Sequence, residues 1–192
     1  PSVVKAATRF FAYRPPPNHH VYEQDARVFL QTTGQRYDII WVDVFARHLI
    51  PFHLTTREFF AELRNHLTPH GVVAVNLASS NAKMDQLRAE AIRSTMKTAF
   101  PLVEVFGVAG PSWLKTKPGA VNLIFFARRE GSSPTMQTEA FRAMASKLVM
   151  QGKLPPEVLV LLTTARPNQT TEWKPGIILT DDFSPLDILQ GG

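Results

Sequence analysis

Residues 37–60 read YDIIWVDVFARHLIPFHLTTREFF. The apolar run Ile39-Ile40-Trp41-Val42 stops at one acid, Asp43, before a proline-bearing loop and a helix start. A carboxylate at a partly desolvated strand end can take a proton from an amine and stabilise the positive charge that develops there. It can equally be a cap or loop acid satisfied by backbone N–H groups. Asp25 raises the same choice. It follows a short strand expected at 20–23, and it either caps a helix starting at Ala26 or bonds a ligand base or hydroxyl. A third candidate zone, Asn76 to Ser80, lies near the end of the apolar run 72–77. In an open parallel sheet, ligands bind beyond the carboxyl ends of strands, and that rule selects these three places.

Other chemistries have little support. The six histidines form no metal-ligand grouping with carboxylates, so no metal is expected. No Gly-rich phosphate or nucleotide loop is present, and Ser79 and Ser80 lack the glycines of a nucleophile elbow. Asn168-Gln169-Thr170 fits a glycosylation sequon, a common chance match.

The elements that must hold these residues alternate. Val3, Val4, Ala7, Phe10 and Phe11 recur at helical spacing over 2–12, ended by Pro15-Pro16-Pro17. Residues 26–31 make one or two helical turns with Phe29 and Leu30 inward. Residues 37–42 are apolar without alternation, the pattern of a strand covered on both faces. Thr55 and Glu58 form a capping box for a helix bearing Phe59, Phe60, Leu63 and Leu67, stopped by Pro69 and Gly71. A second buried strand is expected at 72–77. A long helix at 82–99 aligns Met84, Leu87, Ala91, Ile92 and Met96. Strands follow at 102–106 and 121–126, joined by a loop with Gly110, Pro111, Pro118 and Gly119. A helix at 135–150 aligns Phe141, Met144, Ala145 and Leu148, and a proline-rich tail ends the chain. Such alternation predicts an α/β layer fold with a mainly parallel sheet. We expect a main domain over 1–130 and a helix and extension over 131–192 packed on it, with 131–134 as a loop.

Composition bounds the function. The chain has 192 residues, 44% hydrophobic and 19% charged, enough for a real core. It has no cysteine, which excludes disulfides and thiolate metal sites. No apolar stretch approaches the roughly 18–20 residues of a membrane span. The net charge is +5, but Lys83, Arg88, Arg93 and Lys97 sit near Asp85 and Glu90, as on a solvated helix face. Nucleic acid is therefore not the expected partner. Residue 1 is Pro, and the chain opens directly into a helix, so we expect the C-terminal part of something longer.

In order, VYEQDARVFL, YDIIWVDVF, LTTREFF, LRNHLTPHGVVAVNL, VNLIFFARR and ILTDDFSPLD resemble the polyamine aminopropyltransferases, the spermidine synthases, in their bacterial spermidine synthase-like branch. The match covers roughly residues 1–128 and the tail. The resemblance implies a Rossmann-like fold of the class I methyltransferase type. It implies transfer of an aminopropyl group from decarboxylated S-adenosylmethionine, as co-substrate, to a diamine such as putrescine. Asp43 then matches the catalytic aspartate, which binds and deprotonates the attacking amine. Asp25, with Ala26, matches the pair that holds the adenine amino group. Asp181 and Asp182 would line the site for a cationic acceptor if the tail folds over it. The family reading also carries a homodimer, an upstream membrane or Rossmann segment in the parent, and a cytoplasmic location for this domain.

Departures shape the expectation further. The family's second acid, three residues after the catalytic one, is Ala46 here, and the Asp-Gly pair has become Asp25-Ala26. The glycine-rich first strand and the next strand would precede Pro1. A chain lacking those two strands should pair 20–23 with 37–42 directly or expose an edge. We expect the 192-residue chain alone to be inactive or very weak. A methyltransferase on the same scaffold, or a non-catalytic domain that keeps the fold, remain the alternatives.

Overall fold

A computed structural model describes residues 2–45, 50–80, 82–109, 121–129, 139–153, 173–183 and 185. The sequon, the 110–120 and 131–134 loops, Ala46, His48 and Asp187 lie outside the described residues. The chain divides into two compact units, Pro1–Gly34 and Gln35–Gly192.

The first unit holds α1 (Ser2–Phe10) and α2 (Ala26–Thr32). Asp25 is the N-cap of α2: its Oδ1 accepts from the backbone N–H groups of Arg27 at 2.9 Å and Val28 at 3.3 Å. Leu30 is buried, and Tyr22 tilts against Phe29 at 4.7 Å between ring centres. The strand expected at 20–23 is not formed; those residues are irregular. Strand geometry is stable only with a neighbour to accept its backbone hydrogen bonds, and among the described residues this segment has no pairing strand.

The second unit is a four-stranded sheet in the order β1-β2-β4-β3: β1 (Tyr37–Val42), β2 (Leu67–Ser79), β3 (Val103–Ala109) and β4 (Val121–Arg128). β1 and β2 are parallel, and β4 runs antiparallel to both β2 and β3. Three of the four strands thus share one direction, but because β4 lies reversed between β2 and β3 only one of the three pairings is parallel, and the sheet is mixed where a mainly parallel one was expected. Helices α3 (Arg57–Asn65) and α4 (Lys83–Ala99) pack on each other and on the sheet. The core lies between them and the strands: Phe59, Phe60, Leu63, Val73, Val75, Leu77, Ile92, Met96 and Phe125 are buried. A short 3₁₀ helix (Phe52–Leu54) precedes α3, and α5 (Glu139–Met150) buries Ala145 while Met144 stays exposed.

Several boundaries differ from expectation for local reasons. The helix cap is Thr56, not Thr55: Thr56 Oγ1 accepts from Phe59 N–H at 3.3 Å, whereas Thr55 Oγ1 donates to Phe52 C=O at 2.7 Å and closes the 3₁₀ turn. Helix α3 stops at Asn65, before Pro69, so Leu67, Pro69 and Gly71 belong to a longer β2. Gly71 sits where the β1–β2 register jumps, and a Cβ there would lie 2.9 Å from Tyr37 C=O. Met84 and Leu87 of α4 are exposed, since the apolar contact begins only at Ala89.

β1 is not covered on both faces. Ile39 is 68% and Trp41 54% exposed, and among the described residues β1 pairs with β2 alone. Of the two outcomes expected for a chain lacking the preceding strands, the open edge is the one found.

Candidate active site

Parallel pairing sets Val42, the last residue of β1, opposite Val75, and β2 runs on to Ser79. The next residues along each strand are Asp43 and Asn76, and Asn76 Nδ2–H donates to Asp43 Oδ1 at 2.9 Å. Asp43 is exposed; Asn76 is half-buried. The amide thus fixes one carboxylate oxygen of Asp43, a charge-assisted bond of the stronger kind. Asn76 Oδ1 is buried and, among the described residues, has no hydrogen-bond partner. An unpaired buried acceptor costs roughly 1–3 kcal/mol.

The rest of the Asn76–Ser80 zone does something else. Ser80 Oγ donates to Asp85 Oδ2 and accepts from Ala82 N–H at 3.1 Å, while Arg88 Nη1 pairs with Asp85 Oδ1 at 2.6 Å. This network closes the start of α4, whose N-cap, Ala82, offers no side-chain bond.

The helix that follows the Asp43 loop starts beside the tail acids. Thr56 Oγ1 donates to Asp181 Oδ1 at 2.7 Å, and Asp181 N–H donates to Glu58 Oε2 at 3.0 Å. Asp181 and Asp182 sit in a tight turn closed by reciprocal backbone bonds between Thr180 and Phe183, and both acids are exposed. Asp181 is therefore held at the N-terminus of α3, and Asp182 lies next to it on the same turn. Asp25 caps α2 in the other unit, and Ala26 opens that helix.

Burial pushes the Glu58 carboxyl up, but hydrogen bonds from its own backbone N–H, the Arg57 side chain and Asp181 N–H outweigh it, and the net pKa is lowered. A depressed carboxylate stabilises the fold above its unfolded pKa and loses that contribution as pH falls through its folded pKa. Glu58→Gln should therefore flatten the acid limb of stability, by less than about 1 kcal/mol for so open a pair. Denaturation midpoints across the acid range check this.

Sequence reasoning marked Asp43 and the zone around Asn76 but not their bond, which depends on the parallel register that sets Val42 opposite Val75. It missed Thr56, whose identity as cap depends on where the preceding 3₁₀ turn ends. Among the described residues, no group of three or more His, Asp or Glu side chains could hold a metal. No described helix is long and apolar enough to cross a membrane.

No family model matches the chain. It is 27% identical over 194 residues to a polyamine aminopropyltransferase of Vibrio vulnificus, covering 99% of this chain and 59% of that protein. It is 28% identical over 180 residues to a probable polyamine aminopropyl transferase of Bifidobacterium longum, covering 91% of this chain and 39% of that protein. The chain thus spans about two fifths to three fifths of the length of these curated relatives. Its fold is similar to that of the spermidine synthase of Thermotoga maritima, with a TM-score of 0.61 at 17% identity over 88% of this chain and 55% of that one. Over nearly its whole length the chain is thus similar in sequence to polyamine aminopropyltransferases, and its fold is similar to that of a spermidine synthase.

Proposed function

We propose that this chain forms the amine-activating part of a spermidine synthase-type site, moving an aminopropyl group from decarboxylated S-adenosylmethionine to a diamine of the putrescine class. The observation that carries this is the Asp43–Asn76 pair, just beyond the point where the parallel pairing of β1 with β2 ends. In the reaction, an amine nitrogen attacks the methylene carbon beside the sulfonium. The new C–N bond forms as the C–S bond breaks, and its electron pair leaves on sulfur as the neutral thioether, methylthioadenosine. The nitrogen must shed a proton, and Asp43 is placed to take it. Asn76 holds the carboxylate in one orientation, which limits the ways the nucleophile can sit.

Asp25 and Ala26 are proposed for the adenine amino group, with the Asp25 carboxylate also capping α2. Asp182 is the tail acid proposed to face the cationic acceptor. The 192 residues contain no Gly-rich turn, and Ala46 stands where the family has a second acid. We therefore propose that these residues alone transfer the group weakly or not at all, and that the full-length gene product is the competent species. Comparing methylthioadenosine release by the two tests this; equal release would contradict it.

Asn76→Ala should lower turnover of the full-length product about tenfold, with a smaller change in KM for the diamine, because orientation rather than affinity is lost. Steady-state kinetics with varied diamine check this.

A further inference from the structure

The segment Trp173–Phe183 has no regular structure over most of its length, yet it is held at several points to elements far away in sequence. The Arg93 guanidinium lies 5.5 Å from the Trp173 ring centre, and Phe125 tilts against the same ring at 6.4 Å. Gly176 N–H donates to Ser94 Oγ at 2.8 Å, and Leu179 N–H to Thr95 Oγ1 at 2.9 Å. Thr95 is fully buried inside α4 and donates its own hydroxyl proton to Ala91 C=O at 2.7 Å, so the segment uses its remaining acceptor capacity. Leu179 is 0% exposed. The segment then crosses from α4 to α3, where Leu179 C=O accepts from Arg57 N–H at 2.8 Å and Asp181 takes up Thr56 and Glu58.

The first turn of a helix presents backbone N–H groups without helical partners. In α3, Leu179 C=O satisfies one, and Thr56, itself held by Asp181, satisfies another. That first turn is also where the loop leaving Asp43 ends, with Ile50, Leu54, Thr55 and Thr56 all buried on the way. We infer that Trp173–Phe183 is a strap that positions residues 50–56 and the start of α3, with Asp181 as a positioning residue acting through Thr56 on the N-terminus of α3. The catalytic consequence rests on the aminopropyltransferase reading; the mechanical link does not.

The link predicts a difference between two substitutions. Asp181→Asn keeps an oxygen to accept from Thr56 Oγ1–H and removes the charge, whereas Asp181→Ala removes both. In the full-length product, Asp181→Ala should lower kcat about tenfold with KM for the diamine within about twofold, and Asp181→Asn should restore most of the rate. Hydrogen exchange should quicken in peptides covering 50–60 for Asp181→Ala but not for Asp181→Asn. Unchanged exchange at 50–60 overturns the inference. So does faster exchange spread equally over β2 and α4, which would make Asp181 a general prop of the fold. An equal rise in KM for both variants overturns it too, because the charge would then be contacting the amine directly. If no protein form transfers an aminopropyl group, the functional reading falls, while the exchange result still decides the strap.

Discussion

Asp43→Asn in the full-length product is expected to lower the turnover of aminopropyl transfer by about 100-fold to 10,000-fold, the range that a positioned proton acceptor contributes. The substitution is nearly isosteric. The new amide oxygen can still accept from Asn76 Nδ2–H, which lies 2.9 Å from Oδ1, so the local geometry should persist. Two properties are lost together: the basic oxygen that takes the proton, and the negative charge that stabilises the developing ammonium. Neither bears on the nucleoside, so affinity for the co-substrate should change little. Rates of methylthioadenosine release, alongside equilibrium binding of the nucleoside, separate these effects. An unchanged rate would return Asp43 to the role of a loop carboxylate.

Gly176→Ala is expected to be the most damaging single methyl in the strap. A Cβ at this position would lie 2.4 Å from the backbone carbon and oxygen of Glu90 and 2.5 Å from Ala91 N. These are backbone atoms of α4, which cannot swing aside as a long side chain can. Either α4 shifts or the strap lifts, and lifting it breaks the bond from Gly176 to Ser94 and loosens Leu179 from Thr95. Overpacking of this kind costs about 1–3 kcal/mol. For a chain of this size that is a fall in melting temperature of roughly 2–12 °C. Thermal unfolding of the variant measures it. A melting temperature equal to that of the parent would mean that the strap does not press on α4 as described.

Much of the site's frame was legible because it rests on local patterns. The unalternated runs at 37–42 and 72–77 became β1 and the centre of β2, and Asp25 could be read as a cap from its place before Ala26. What could not be read depended on distant partners. Residues 20–23 have strand-like composition, but a strand exists only where another backbone answers it. The openness of Ile39 and Trp41 depends on which strands flank β1, and periodicity within 37–42 carries no information on that. Thr55 and Thr56 are the same residue type side by side, and the preceding 3₁₀ turn decides which of them caps α3. Thr95 and Leu179 are 84 residues apart, so a buried threonine inside a helix gave no hint of the segment it would receive. The Asp43–Asn76 bond lies between these extremes: each residue was selected by its distance from a strand end, and only the parallel register joined them.

If the Asp43–Asn76 pair serves aminopropyl transfer, the nucleoside released in the reaction identifies it. The most direct measurement incubates the full-length product with a diamine and either decarboxylated or intact S-adenosylmethionine, and identifies the nucleoside released. Methylthioadenosine is expected from the decarboxylated form and should be lost with Asp43→Asn. S-adenosylhomocysteine from the intact form, or no nucleoside product at all, would contradict it.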